Sequence, residues 1–278
     1  MRSLLAPNHH VDYALYRLSL TAYERNPLAQ MLLRTFEPYM SATLIIDMLR
    51  FLGVGTSRLF GGSTVFWQLD RRGEPRTGKI MAYDPLTGKR IKKPRALMTW
   101  VHSLPAMAPE GYELRQCFFG EHAASLFPAH DVWLFESEKA AVITHLFLRA
   151  CDIGGVVCMA TGGCGRFAPT TRALCDAGNS HSLLRSRRVV LFPDEGKADE
   201  WNGKSKSLKS LTTDLSIITL TAGRAAPGTR GEVITQAGCG FDDIILNCLP
   251  DSRLRATMAQ ALRELASSEG VRVKGYEL

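Results

Sequence analysis

Val132-Trp-Leu-Phe-Glu-Ser-Glu-Lys139 is a short apolar run that ends in a carboxylate, Glu136, where a helix-like segment takes over. Val132 to Phe135 has the length and the aromatic and β-branched content of a buried strand, and Ala140 to Ala150 repeats apolar residues at helical spacing. The unit reads strand, acidic turn, helix. In an open α/β sheet the carboxyl ends of the strands face the ligand crevice, so an acid there is placed for chemistry. Capping of a helix N-terminus is the plainer reading of the same carboxylate.

A second stretch decides between the two. Arg187-Arg-Val-Val-Leu-Phe-Pro-Asp-Glu-Gly196 is another strand-like run finishing in acids, among them Asp194. Between the two lies Val156 to Ala160, which ends in the glycine-rich turn Thr161-Gly-Gly-Cys-Gly165. Gly240-Phe-Asp-Asp-Ile-Ile-Leu246 adds Asp242 and Asp243. Carboxylates gathered from separate strands repel one another unless a cation offsets the charge, and hard oxygen donors suit Mg²⁺. A magnesium site, with Mn²⁺ as the alternative ion, is therefore expected. Gly162 and Gly163 remove the side-chain obstacle to a close phosphate, although the turn lacks the Gly-Lys-Ser/Thr ending of a nucleotide-binding P-loop.

These residues resemble the Toprim domain shared by bacterial primases, topoisomerases and some nucleases. Its pattern is a glutamate after one strand and an Asp-x-Asp after a later one, often with a further acidic patch. Glu136 matches the glutamate and Asp194 the first aspartate, while Gly196 stands where the second aspartate belongs. Asp242 and Asp243 resemble the later acidic patch, although here the two acids are adjacent. Upstream, Phe51-Leu-Gly-Val-Gly-Thr-Ser57 and a hairpin over Ser63 to Tyr83 follow the order of primase catalytic cores. The series Phe-Trp-Gln-x-Asp, Arg-Thr-Gly-Lys-Ile-Met, Phe-Gly-Glu-His, Glu-Ser-Glu-Lys and Pro-Asp-x-Gly spans residues 66 to 196. That order is similar to an uncharacterised Toprim family of Bacteroidetes mobile elements.

The resemblance implies a Toprim-like α/β fold, a Rossmannoid parallel sheet with helices on both faces, at 116–278. A smaller primase-like part with a helical start and a basic β-hairpin, at 1–115, would precede it. It implies nucleotidyl transfer on DNA in the replication or transfer of a mobile element, with single-stranded DNA and nucleoside triphosphates as partners. Glu136 would serve as general acid and base, and Asp194 with Asp242 or Asp243 would hold the metal. A DNA-binding protein that has lost catalysis with its second aspartate, and a Mg²⁺-dependent nuclease, are the alternatives. The zinc module that usually opens such proteins is not expected here. The seven cysteines contain no Cys-x-x-Cys pair, so no zinc is predicted, and a zinc-binding subunit would be a separate chain. No ATPase motif occurs, so any helicase partner would be separate as well.

Charge supports nucleic acid as a partner. The chain carries 34 Lys and Arg against 27 Asp and Glu. Arg71, Arg72, Arg76, Lys79, Lys89, Arg90, Lys92 and Lys93 are opposed only by Glu74 and Asp84, and they alternate with segments holding Trp67 and Tyr83. That is the cation and aromatic mixture of a nucleic-acid groove. Arg185, Arg187 and Arg188, then Lys204, Lys206 and Lys209, flank the Asp194 strand. Lys139 at a helix start is a further candidate phosphate contact. An odd number of scattered cysteines suggests a reducing, cytoplasmic setting, and no apolar run approaches the ~18 residues of a membrane span. Helices are expected over Pro27 to Leu52, broken near Pro38, and over Ser252 to Ser267 with Ser252 as N-cap. A loop is expected over Gly196 to Leu211, a strand over Leu215 to Thr221, and a glycine- and proline-rich loop over Ala222 to Gly231.

Overall fold

The computed structural model describes residues 8–105, 107–163, 183–209, 212–218 and 240–267. They divide into two compact units that meet at Ala123 and Ala124. The first continues past the boundary expected near residue 115 because Phe118 and Phe119 are buried in it, Phe119 edge-on to Phe66 with ring centroids 5.8 Å apart.

The first unit opens with α1 (Tyr13–Ser19), α2 (Pro27–Phe36) and α3 (Ala42–Phe51). Asp12, Asn26 and Ser41 cap them by accepting hydrogen bonds from first-turn amides, and Pro27 sits where its missing N–H costs nothing. An antiparallel sheet follows, ordered β1 (Val54–Ser57), β2 (Ser63–Leu69), β3 (Pro75–Met81) and β4 (Met98–Trp100). The β2–β3 turn is held by Asp70, whose Oδ1 accepts from the Arg72 and Glu74 amides at 2.9 and 3.2 Å, and Gly73 takes a φ of +82°.

Every residue of β2 and β3 is buried, so this hairpin has no solvent face. On one side Val65, Trp67, Leu69 and Ile80 pack with Val101. Gly78 is required there, since a Cβ on it would fall 2.7 Å from Val65 and 2.9 Å from Val101. On the other side Phe66 meets Tyr83 and Phe119 edge-on. Trp67 and Tyr83 are 2% and 4% exposed, and the Trp67 indole donates to Ser19 Oγ at 2.8 Å. They are core residues, which corrects their expected place in a groove.

Within α4 (Glu121–Leu126) the chain passes from the first unit to the second. The second unit consists of β5 (Asp131–Phe135), α5 (Glu138–Ala150), β6 (Val156–Ala160), β7 (Arg188–Phe192), α6 (Ala198–Ser205), β8 (Asp214–Ile217), α7 (Phe241–Cys248) and α8 (Ser252–Ser267). The strands form a parallel sheet in the order β6-β5-β7-β8. The fold class is thus the expected one: an α/β chain in which a helix-flanked parallel sheet follows a helical and hairpin part. The inner strands are continuous apolar runs because both of their faces are covered.

Three local expectations change. Ala198–Ser205 is helix, followed by a 3₁₀ turn at Lys206–Leu208, rather than loop; the fully buried Trp201 pins it despite its polar composition. The N-cap of α8 is Asp251, whose Oδ1 accepts from the Arg253 and Leu254 amides at 2.8 and 3.0 Å. Strand β8 begins at Asp214, and residues 219–221 and 222–231 lie outside the described residues. No helix among the described residues is long and apolar enough to cross a membrane.

Candidate active site

Three rings form the floor of the site. Phe135 ends β5, Phe192 ends β7 and Phe241 starts α7. Phe135 and Phe192 stack with centroids 4.6 Å apart, and Phe241 lies 4.8 Å from Phe192 and 6.0 Å from Phe135. Each ring immediately or nearly precedes an acid: Glu136, Asp194 and Asp242. Packing the rings therefore fixes where three segments release their carboxylates, all at the carboxyl edge of the parallel sheet.

Asp194 records how those charges meet. Burial pushes its carboxyl up from 3.8 to about 7; Glu136, Asp242 and Asp243 add to the rise, and Lys139 opposes it. Asp242 is 3% exposed, and burial raises its carboxyl too, against the pull of Lys139. Lys139 Nζ lies 2.7 Å from Asp242 Oδ2 and 4.0 Å from Asp243 Oδ1. Gly240 lets the acids approach: a Cβ there would stand 2.5 Å from Asp242 Oδ1 and 3.2 Å from Asp194 Oδ1. Its amide donates to Asp243 Oδ2 at 3.2 Å, a return bond that orders the start of α7.

The glycine turn joins the same edge. The Thr161 amide donates to Phe135 O at 3.0 Å, and its hydroxyl reaches Glu136 O at 3.4 Å and Gly163 O at 3.2 Å. Gly162 has a φ of +78°, and a Cβ on it would come 3.0 Å from Oε1 of the buried Glu138. Ser137 caps α5 by accepting from the Ala140 amide at 3.1 Å. Where the Toprim pattern places its second aspartate, the Lys197 amide bonds Asp194 O at 3.0 Å, closing a turn with Gly196 at a φ of +74°. Most L side chains are strained in that conformation, which suits the glycine found there.

The structure thus gathers Glu136, Asp194, Asp242, Asp243, Gly162 and Gly163, and brings Lys139 among the acids as an ion-pair partner. The basic residues divide. Arg71, Arg72, Lys89, Arg90, Lys92 and Lys93 are exposed. Arg76 and Lys79 are 9% and 8% exposed, and the Arg76 guanidinium pairs with Asp70 Oδ2 at 3.0 Å. Arg187 donates to Ala124, Phe127 and His130 carbonyls, and Arg188 bridges Asp131 and Asp214. Arg76, Arg187 and Arg188 are thus engaged in internal bonds, and Lys79 is buried within β3. Gly240 and Thr161 escaped the sequence reading. The only signal for Gly240 is a glycine set directly before an apolar-acidic helix start.

Among the described residues no three acidic, histidine or cysteine side chains converge closely enough to enclose a metal ion. Cys164, Cys175 and Cys239 lie outside them. Magnesium asks for less than an enclosing cage, since it keeps several waters and is usually held by one or two carboxylates with substrate phosphates. The all-oxygen donor set and the uncompensated charge at Asp194 fit such an ion.

Fold and site together define an α/β protein with an acidic edge on a parallel sheet and a separate antiparallel hairpin unit. The chain belongs to the family described as Domain of unknown function (DUF6371), whose match runs over residues 26–195. That span takes in the hairpin, Glu136 and Asp194 and stops short of Asp242. A search of curated proteins finds no match. Among solved structures, one described as the DnaG primase catalytic domain bound to ssDNA is similar at 14% identity and a TM-score of 0.42, over 90% of this chain and 80% of that one.

Proposed function

We propose that this protein acts on DNA in a primase-like way, with its second unit joining nucleotides in a reaction that depends on a divalent cation. The observation that carries the reading is the meeting of Glu136, Asp194, Asp242 and Asp243 from separate segments, at a charge cost registered by Asp194. DNA as the substrate class rests on the series of motifs from Phe66 to Gly196 and on the exposed Arg71, Arg72, Lys89, Arg90, Lys92 and Lys93.

Asp194 and Glu136 would hold the ion, Mg²⁺ or Mn²⁺, which stabilises negative charge developing on phosphoryl oxygens. A Glu136 carboxylate oxygen would take the proton of the attacking hydroxyl. The glycine turn at Gly162 and Gly163 leaves backbone accessible beside it for a phosphate. The test is purified protein with single-stranded DNA, labelled nucleoside triphosphates and Mg²⁺ or Mn²⁺, beside Glu136→Gln. New short oligonucleotides, reduced at least ~100-fold in the variant, are expected. Shortening of the DNA instead would make the protein a nuclease.

A second reading, a DNA-binding protein without catalysis, is favoured by Gly196, which leaves the edge one acid short of the Toprim pattern. Salt-sensitive DNA binding with no product from either protein would establish it.

A further inference from the structure

Lys139 stands three residues after Glu136, at a place where a helix-start lysine would ordinarily reach into water. Instead its side chain is 14% exposed and its ammonium sits 2.7 Å from Asp242 Oδ2, the distance of a charge-assisted hydrogen bond. Asp243 Oδ1 lies 4.0 Å from the same ammonium. With that ammonium in place the charge of Asp242 is already answered, so a second divalent ion there would have to compete with it.

The pair is built in from both partners. On the lysine side, the Ser137 cap and the buried Glu138 fix the first turn of α5. On the aspartate side, Phe241 packs on Phe192, and Gly240 leaves the space that Asp242 occupies. Among the described residues, the charged groups that act on Asp194 are three acids, Glu136, Asp242 and Asp243, and this ammonium. We infer that the acidic edge takes a single divalent cation, against Asp194 and Glu136, and that the Lys139 ammonium is a fixed replacement for a second one against Asp242 and Asp243. The inference rests on the metal reading of the edge and narrows it. One mobile cation faces the substrate phosphate from the β5 and β7 side, and one immobile protein cation from the α7 side.

The number of bound ions tests this without reference to activity. Mn²⁺ binding to the full chain is titrated by electron paramagnetic resonance for the wild type, Lys139→Met, Lys139→Arg and Asp194→Asn. The expected counts are one Mn²⁺ for the wild type, two for Lys139→Met and one for Lys139→Arg, with affinity falling at least tenfold in Asp194→Asn. Two ions in the wild type, or one in Lys139→Met, overturn the inference and leave the metal site standing. No ion in any form removes the metal reading and the inference together.

Lys139→Met leaves Asp242 buried without its partner, so its fold is followed by circular dichroism in chelator and again in Mn²⁺. If it unfolds in chelator, recovery in Mn²⁺ supports the inference and failure to recover overturns it. The double variant Lys139→Met with Asp242→Asn, which removes both charges, is expected to bind one ion; two would show that the added ion does not use Asp242.

Discussion

Replacing Asp194 by Asn should stabilise the protein, and by an amount that depends on pH. In the folded protein burial and three neighbouring acids hold the Asp194 carboxyl at about 7, against 3.8 for an ordinary aspartate. At ~1.4 kcal/mol for each pH unit of separation the gap corresponds to about 4 kcal/mol, and the water reaching this partly exposed carboxyl reduces it to roughly 2–4 kcal/mol. Between about pH 4 and pH 7 the folded state keeps a proton that the unfolded chain has released, so raising the pH through this window costs the wild type stability. Asn carries no such proton and has no such slope. Urea unfolding in chelator should give nearly equal stabilities at pH 4 and an advantage for Asp194→Asn that grows to roughly 2–4 kcal/mol at pH 8. A difference that stays flat from pH 4 to pH 8, or an Asn variant less stable at pH 8, would refute the crowding of charge at this carboxyl.

Gly240→Ala keeps an ordinary backbone conformation but puts a Cβ 2.5 Å from Asp242 Oδ1 and 3.2 Å from Asp194 Oδ1, so by crowding the proposed ligand Asp194 it should lower Mn²⁺ affinity about tenfold while urea unfolding shifts by only about 1 kcal/mol. Gly196→Asp supplies the acid that the Toprim resemblance would place there, yet at a φ of +74° it should cost about 1 kcal/mol in the same unfolding assay and yield no increase in product. Arg76→Met strips the buried Asp70 of its guanidinium and should cost about 3 kcal/mol. Arg71→Glu with Arg72→Glu, on the exposed turn, should leave stability within about 0.5 kcal/mol but weaken DNA binding and flatten its dependence on salt.

The parts of this fold that could be read from sequence are those governed by local pattern. The apolar runs of β5 and β7, the stripes of α2 and α3 and the whole of Ser252–Ser267 follow from periodicity, and the acids at the strand ends follow from them. Three things lay beyond local pattern. The hairpin of β2 and β3 alternates polar and apolar residues as a half-exposed ribbon would, yet further elements cover its second face, so Arg76, Lys79, Trp67 and Tyr83 count as a surface only on paper. Ion pairs between distant segments, Lys139 with Asp242 or Arg188 with Asp131, turn apparent surface cations into internal ones. Helix Ala198–Ser205 is polar almost throughout and is specified by one residue, Trp201, whose burial no periodicity announces.

Two aspartates in this chain, the buried Asp70 and the partly buried Asp194, stand in opposite electrostatic settings. Burial alone would raise Asp70, but His10 at 3.0 Å, the Arg72 and Glu74 amides and Arg76 outweigh it and hold the carboxyl below its ordinary value. Its charge is fully answered, and it stabilises the turn at neutral pH. Asp194 lies in a unit equally able to supply cations, since Arg188 answers Asp131 and Lys139 answers Asp242. Yet burial, and after it the acids Glu136, Asp242 and Asp243, drive its carboxyl up. A residue retained only for packing would be replaced by Asn or Leu at no electrostatic cost. The fold penalises the Asp194 carboxylate, at the end of a parallel strand and beside three packed rings, and under the proposed reading the charge that would answer it is that of the divalent cation.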